Sequence, residues 1–420
     1  QRTAPHLARP LPQLLPEYGL GARQHRKLVG VGEVAELLRA AARTSRDTLP
    51  KPCILGRVET ARLVPALRGG FDRGLVHWDG QLVDDARLVV TVARTAAAYG
   101  ASVLTRCRAL TVSGDGAEAY DELTGTRLDL RARAVVNATG VWAGSLSPDV
   151  TLRPSRGTHL LLRSATLGGF GTALTVPFPD DPSRFLLVLP WGEGLVLVGL
   201  TDVAADGELP DVPQGSDAEV DYLLGALGEV LQVPVSRADV VGTFAGLRPL
   251  LADPGRAAAS TADLSRRHAV TVGADGLVTV TGGKLTTYRR MAEDAVDTAA
   301  RTRGLAARRC RTSWLPLVGA ASPSALDAVQ APRRLVDRYG TEAPRVVSMA
   351  GGDPALLRPV ADGLHVTGAE LLFGLRHEGA LDESDLLDRR TRLGLVPADR
   401  ERALPAVRTL LAAASERSNA

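Results

Sequence analysis

Cysteine is almost missing from this chain of 420 residues: Cys53, Cys107 and Cys310 stand far apart and form no CxxC pair. That excludes a disulfide framework and a cysteine metal clamp, and it makes a reducing compartment the default. No apolar run approaches the roughly 18 residues needed to span a bilayer, and the first residues lack a signal peptide's apolar stretch. An excess of one charge is lacking too. With 50 Lys+Arg against 47 Asp+Glu the net charge is +3, far from the concentrated basic footprint of a nucleic-acid binder, so neither DNA nor RNA is expected as a partner. Lysine occurs only at Lys27, Lys51 and Lys284, and asparagine only at Asn137 and Asn419. Codon bias in a GC-rich genome accounts for this at the average position, so the few Lys and Asn residues are worth locating.

What is present is ordinary for a soluble globular protein: 45% hydrophobic and 23% charged residues. At one domain per roughly 150 residues the length allows about three domains. Residues 1–75 are rich in Pro and Arg and read as connective structure, with one helical pattern at Val34, Leu37, Leu38 and Ala41 and a Pro50-Lys51-Pro52 break. From Asp84 a capped helix is expected, with Leu88, Val89, Val92 and Ala96 on its apolar face and Gly100 as its left-handed C-cap. A strand over Ser102 to Val112 follows, and a Gly114-Asp115-Gly116 turn folds it into a hairpin. Ala132 to Val136 then runs into Asn137-Ala138-Thr139-Gly140, a strand that ends in a glycine turn.

Between 151 and 250 the pattern changes to an antiparallel sheet, with strands at His159–Leu162, Phe185–Leu189 and Leu195–Leu200 and a helix over Asp217–Leu231. Leu277 to Thr281 is a strand, Gly282-Gly283-Lys284 a sharp loop, and Leu285 onward a helix with Tyr288, Ala292, Ala295, Val296 and Ala299 on one face, ending near Gly304. Arg308 to Pro323 reads as a linker. From 324 a separate all-α domain is expected, with Leu371, Leu372, Leu375, Leu381, Leu386 and Leu387 in its core. The fold class is therefore α/β: a nucleotide-binding, Rossmann-like domain split between 1–150 and 266–307, an antiparallel-sheet domain over 151–265, and the helical domain over 324–420.

The most informative run is Thr281-Gly282-Gly283-Lys284-Leu285-Thr286-Thr287-Tyr288-Arg289. A strand that turns through two glycines straight into a helix brings bare amides and the positive end of the helix dipole to one point, where an electron-rich group belongs. A plain strand-to-helix turn is the competing reading. The run resembles the signature of the FAD-dependent glycerol-3-phosphate dehydrogenases. Further stretches match that family in order: Trp78–Leu88 (WDGQLVDDARL), Val136–Trp142 (VNATGVW), Arg156–His159 (RGTH), Gly199–Asp202 (GLTD), Gly246–Leu250 (GLRPL), Ser265-Arg266 and Glu378–Arg392 (EGALDESDLLDRRTR).

The resemblance implies a flavoprotein that oxidises sn-glycerol 3-phosphate to dihydroxyacetone phosphate and passes electrons to quinone or another acceptor. It implies FAD contacts at Ala109, Asn137, Thr139, Gly140, Trp142, Gly282, Gly283, Lys284, Leu285, Thr286 and Thr287. It also implies substrate cations at Arg248, Arg266 and Lys284, and a catalytic set of His159, Arg248 and Lys284. A converging set of cations suits a phosphate dianion, with Arg giving forked donors and Lys a point charge. His159 matches the family's active-site histidine; a histidine between strand residues also serves as a satisfied core group. No metal is expected. A cytoplasmic enzyme is expected, with peripheral contact at the inner face of the membrane and a homodimer as further expectations. The basic stretch Arg301 to Arg311 suits either a lipid surface or a solvated linker.

The family opens on a strand, a GxGxxG turn and a helix that hold the FAD pyrophosphate. The near match Gly30-Val31-Gly32-Glu33-Val34-Ala35 follows no buried strand, and Glu33 would crowd a phosphate. The chain opens at Gln1, and Pro5-His6-Leu7 resembles a family segment that lies after the fingerprint, so an N-terminally truncated member that binds FAD weakly or not at all is expected, with an active full-length parent. Two readings stay open beside this one: an amino-acid or 2-hydroxy-acid oxidase of the D-amino-acid-oxidase-like group, and a flavin-less fragment that acts as a binding module.

Overall fold

The computed structural model describes residues 2–18, 34, 36–42, 44–46, 48–169, 171–178, 184–252 and 267–418. Its strands, in chain order, are β1 (Ala8–Glu17), β2 (Cys53–Gly56), β3 (Arg73–Leu82), β4 (Cys107–Ser113), β5 (Gly116–Asp121), β6 (Thr126–Arg131), β7 (Val136–Asn137) and β8 (Ser155–Arg163), then β9 (Ala173–Pro177), β10 (Phe185–Trp191), β11 (Leu195–Gly199), β12 (Val203–Ala204), β13 (Val240–Arg248), β14 (Ala269–Val272) and β15 (Val278–Thr281).

Nine of these strands form one large sheet in the order β12-β8-β11-β10-β9-β1-β3-β2, with β13 joined to the other side of β8. Leu160, Leu162, Leu174, Val188, Val196 and Val198 alternate onto one buried face, and the helix Asp217–Val230 covers it with Val220, Leu223 and Leu227. A fully buried side chain of this kind contributes roughly 1.5–3 kcal/mol, so this face is the main stabilising core.

Among the described residues of the first 75, where connective structure was expected, a long strand enters the large sheet. β1 pairs with β3 along its whole length and meets β9 at Gln13 and Leu14. Three prolines disguise it in the sequence. Pro10, Pro12 and Pro16 share one parity, so their missing N–H donors fall along a single edge, and a ladder can run on the residues of the other parity. The helix expected from Val34 is present at 36–41, yet Leu37 and Leu38 are exposed. The near-fingerprint at 30–35 falls almost entirely outside the described residues.

The Rossmann-like part holds the small sheet β14-β15-β7, in which β7 and β15 run parallel, and the hairpin sheet β4-β5-β6. The strand expected from Ser102 begins only at Cys107. Val103 and Leu104 lie exposed and, among the described residues, no strand runs beside them; a chain without a ladder partner does not stay extended. The helix Asp85–Ala98 is capped by Asp84, whose side chain accepts from the Arg87 N–H at 3.2 Å, and Gly100 has φ +93°. Its buried face differs from expectation, because Arg87, Leu88, Thr91 and Thr95 are buried while Val89 is exposed. The polar stripe is tolerated because it is bonded: Thr91 and Thr95 donate to the carbonyls one turn back, and Arg87 meets Glu378. On the helix Tyr288–Thr302, Ala295 and Ala299 are buried but Val296 is not.

Residues 324–418 are helical as expected, with two apolar clusters of their own; Leu371, Leu372, Leu386 and Leu387 are buried and Leu381 is exposed. The stretch before it is tied to the body, since the Leu317 N–H donates to the Thr3 carbonyl at 2.8 Å and the Val318 N–H to Thr95 Oγ1 at 3.0 Å. Among the described residues no helix is long and apolar enough to cross a membrane.

Candidate active site

β7 and β15 end side by side in glycine turns, 138–140 and 282–284. In parallel sheets the crevice beyond the carboxyl ends of the strands is where nucleotides bind. Gly140, Gly282 and Gly283 all have positive φ, at +64°, +71° and +76°. A Cβ on Gly282 would stand 2.6 Å from the Arg267 carbonyl oxygen, so only glycine lets this backbone pass. Asn137 builds the first turn from inside: its Nδ2 donates to the Ala143 carbonyl and Ser147 Oγ, and its Oδ1 accepts from the N–H and Oγ1 of Thr139. Ser147 Oγ in turn bonds Thr279 Oγ1 on β15 at 2.7 Å, which locks the two turns to each other. Their rim is apolar and open: Trp142 and Leu285 are exposed, as are Thr286 and Thr287. Ala109 lies away from these turns along the chain, on β4 at a bulge between Ala109 and Thr111. Lys284 is exposed, and its ammonium has no ion-pair partner among the described residues.

β8 and β13 carry the second group. The pairing of Phe244 with His159 and of Arg248 with Ser155 sets both side chains at one end of the sheet. The His159 imidazole stacks on the Phe244 ring, with centroids 4.8 Å apart and planes 11° from parallel. Its Nδ1 is buried with no hydrogen-bond partner. Burial, aided by the nearby Arg248 charge, pushes its pKa down to about 4, so the ring is neutral near pH 7. Gly199 makes room for it, since a Cβ there would collide with the imidazole.

Arg248 is anchored from behind. Its Nη1 donates to Ser155 Oγ at 3.0 Å and its Nη2 to the Thr201 carbonyl at 3.0 Å, and Asp202 Oδ1 lies 3.7 Å from Nη1. A Cβ at Gly157 would collide with the guanidinium, so the Gly of RGTH is what gives this Arg its place. Glu219, from the covering helix, binds the two motifs together: it accepts from Thr158 Oγ1 at 2.9 Å, Thr201 Oγ1 at 2.7 Å and Arg156 at 2.7 Å. Burial pushes its carboxyl up, but the Ser216, Thr201, Arg156 and Thr158 hydrogen bonds outweigh that and hold it at about 2.

The two groups adjoin, because the turn Gly140–Trp142 packs against both β13 and β15. The turn thus lies beside the strand that carries Phe244 and Arg248, and the Arg248 charge acts on His159. Arg266 lies outside the described residues. Sequence reasoning passed over Gly157, Ser155, Thr201, Phe244 and Glu219. Three of these stood inside the RGTH and GLTD matches or next to them and were readable as neighbours of Arg248, whereas Glu219 and Phe244 carry no local signal. Among the described residues no three His, Cys, Asp or Glu side chains are grouped to hold a metal ion.

Residues 6–289 match the family model of the FAD dependent oxidoreductases, and residues 310–420 match the C-terminal domain of alpha-glycerophosphate oxidase. Glycerol-3-phosphate dehydrogenase 1 of Mycobacterium bovis and of Mycobacterium tuberculosis is 45% identical over 417 residues, which covers 98% of this chain and 80% of the relative. The chain belongs to the FAD-dependent glycerol-3-phosphate dehydrogenase family. Among solved structures, the glycerol-3-phosphate dehydrogenase of Bacillus halodurans complexed with FAD shares the fold, with a TM-score of 0.76 at 24% identity over 97% of this chain and 78% of that one. This dehydrogenase is accordingly a flavoprotein, and its cofactor is FAD. The positive-φ glycines, the apolar rim and the parallel strand ends fit such a group on this chain's own geometry.

Proposed function

We propose that this dehydrogenase oxidises sn-glycerol 3-phosphate at C2 to dihydroxyacetone phosphate, with His159 as the base. The observation that carries the reading is a neutral imidazole with an orphaned buried nitrogen, near an anchored guanidinium on a strand that adjoins the glycine turns. FAD, held at the glycine turns 138–140 and 282–284, would supply the acceptor for the hydride that leaves C2. His159 accepts the C2 hydroxyl proton, so that the carbon leaves as a ketone and the proton stays on the imidazole. Arg248 presents its guanidinium to the substrate oxygens while Ser155 and Thr201 fix its direction. Lys284, with its ammonium unpaired, and Arg266 complete the cation set for the phosphate. Gly140, Gly282 and Gly283 let the flavin approach the backbone, Lys284 to Thr287 offer the amides of the helix start, Trp142 and Leu285 give it an apolar wall, and Asn137 holds the Thr139 turn in shape. Ala109 is carried as a further contact by the family resemblance alone.

In this reading electrons leave to a quinone or another acceptor. The enzyme works in the cytoplasm or on the inner face of the membrane, where the Arg301 to Arg311 stretch meets anionic lipid, and it works as a homodimer. The test is anaerobic mixing of the FAD-loaded enzyme with candidate substrates. Glycerol 3-phosphate is expected to bleach the flavin band while glycine and 2-hydroxyglutarate leave it unchanged, and bleaching by either of those two alone would sink the reading. A second outcome follows from the niche behind Arg248. Gly157→Ala displaces the guanidinium, so KM for glycerol 3-phosphate is expected to rise about tenfold, the size of roughly 1.4 kcal/mol of lost contact, with flavin content unchanged. Steady-state kinetics at fixed acceptor measures it.

A further inference from the structure

The loop that supports Arg248 is not held by the sheet ladder. β11 leaves β8 at the Gly199–His159 pair and β12 rejoins it at Val203–Arg156, so Leu200, Thr201 and Asp202 stand opposite only Gly157 and Thr158. An excess residue of this kind interrupts the ladder. Side chains take its place. The Thr201 N–H reaches the Thr158 carbonyl only at 3.4 Å, whereas Thr201 Oγ1 accepts from the Thr158 N–H at 2.9 Å. The same hydroxyl donates to Glu219 Oε1 at 2.7 Å, and the Thr201 carbonyl accepts from Arg248 Nη2 at 3.0 Å. One buried threonine therefore connects the covering helix Asp217–Val230 to the guanidinium.

Glu219 is 5% exposed, and both its oxygens face donors. Oε1 accepts from Thr158 Oγ1 and Thr201 Oγ1, while Oε2 accepts from Arg156 at 2.7 Å and from the Ser216 N–H and Oγ, both at 2.9 Å. Only an ionised carboxylate accepts on both sides at once. An amide here would have to turn its NH2 to one side. Arg156 and the Ser216 N–H cannot accept it, so it would face the two threonines and reverse the Thr201 hydroxyl. The helix start is also packed tightly onto this network, since a Cβ at Gly215 would collide with the Thr158 side chain.

We propose that Glu219 is a positioning residue for the oxidation: through the Thr201 hydroxyl it fixes the carbonyl that aims Arg248, and it acts from behind the sheet without itself meeting the substrate. The inference rests on the reading of Arg248 as a substrate cation. The other support of the guanidinium depends on the same loop, because Ser155 Oγ, which accepts from Arg248 Nη1, donates to Asp202, the residue after Thr201. A loop released from Glu219 thus loosens both supports together.

The test is steady-state kinetics of the FAD-loaded enzyme with glycerol 3-phosphate, each variant paired with its melting temperature. Thr201→Val keeps the side-chain shape and loses the hydroxyl, so KM is expected to rise about tenfold while kcat changes far less. Thr201→Ser, which keeps the hydroxyl, should restore the wild-type KM, and Glu219→Gln should raise KM by a similar factor to Thr201→Val. In an Arg248→Ala background Thr201→Val should add nothing further, because the group it aims is gone. Leu223→Ala, on the buried apolar face of the same helix, controls for general loosening: it should lower the melting temperature and leave KM unchanged. Additive effects in the Arg248→Ala background, a KM rise in Leu223→Ala as large as that in Thr201→Val, or an unchanged KM in Thr201→Val while Arg248→Ala raises it, each overturns the proposal. An unchanged KM in Arg248→Ala itself removes the substrate role of that arginine, and this inference with it.

Discussion

His159→Ala is expected to lower kcat by a hundredfold or more while the flavin spectrum and the melting temperature stay close to wild type. Positioned general bases contribute 10²–10⁴-fold, and among the described residues His159 is the buried histidine beside Arg248 with an unbonded nitrogen. What surrounds the ring suits the proposed role. Phe244 shields one face, Gly199 leaves room for the edge, and Arg248 repels a proton. The folded-state pKa of about 4 lies below the ordinary 6.5, so the neutral form is the one that folding favours. Two consequences have a definite sign. In the free enzyme the acid limb of kcat/KM due to this base should lie below pH 6.5, toward 4. The stability that the neutral ring contributes is fully present above 6.5 and is lost as pH falls from 6.5 through 4. His6, buried with both ring nitrogens unpartnered and likewise lowered by burial to about 4, pulls stability in the same direction over the same window. Stopped-flow flavin reduction with His159→Ala and His159→Asn isolates the chemical step. Near-normal reduction rates in both would remove His159 from the mechanism and leave Arg248 and Lys284 without a proton acceptor.

The comparison between sequence and structure turns on which interactions are local. The glycine turn at 282–284, the Asp84 cap, the Gly100 C-cap and the hairpin through 114–116 were legible because each depends on backbone conformation set within a few residues. The helix expected over Asp217–Leu231 is present as Asp217–Val230, and the structure shows it closed locally by a Ser216–Glu219 capping box. β1 did not, because alternating prolines imitate a loop unless the partner strand is known. The polar face of Asp85–Ala98 was hidden for a related reason. Periodicity selects apolar residues for the core, but here Arg87, Thr91 and Thr95 are buried because their partners, Glu378 and the 317–318 segment among them, arrive from more than 200 residues away. The site divides along the same line. His159, Arg248 and the glycines stood out by type and motif, whereas Phe244, Glu219 and Ser155 earn their places only through sheet register and a covering helix.

The largest stability effect is expected at the tie between the helix Asp85–Ala98 and the C-terminal helices. Arg87 and Glu378 form a forked ion pair, and each side chain is 2% exposed or less. The guanidinium also donates to the Arg390 carbonyl at 3.1 Å and lies 4.7 Å over the Tyr339 ring. Around this pair run Arg94–Glu342, Arg338–Asp84 and Arg106 with Asp382 and Asp385, so the contact is ionic where a domain interface is more often apolar. The more exposed of these pairs contribute little and are screened by salt. The buried one behaves differently: its net worth is small, because desolvation offsets attraction, but removing one partner strands the other charge away from water. Arg87→Met is therefore expected to cost about 3–5 kcal/mol and to lower the melting temperature by roughly 3–6 °C. Glu378→Leu alone should cost a similar amount, since it leaves the buried guanidinium with only a carbonyl and a ring. The double variant Arg87→Met/Glu378→Leu should recover most of the loss, because neither charge is then left alone. Thermal unfolding of the four proteins at low and at high salt closes the cycle. Additive losses in the double variant, or a wild-type advantage that disappears in salt, would mean that the pair is solvated and that the C-terminal helices are held by their apolar contacts instead.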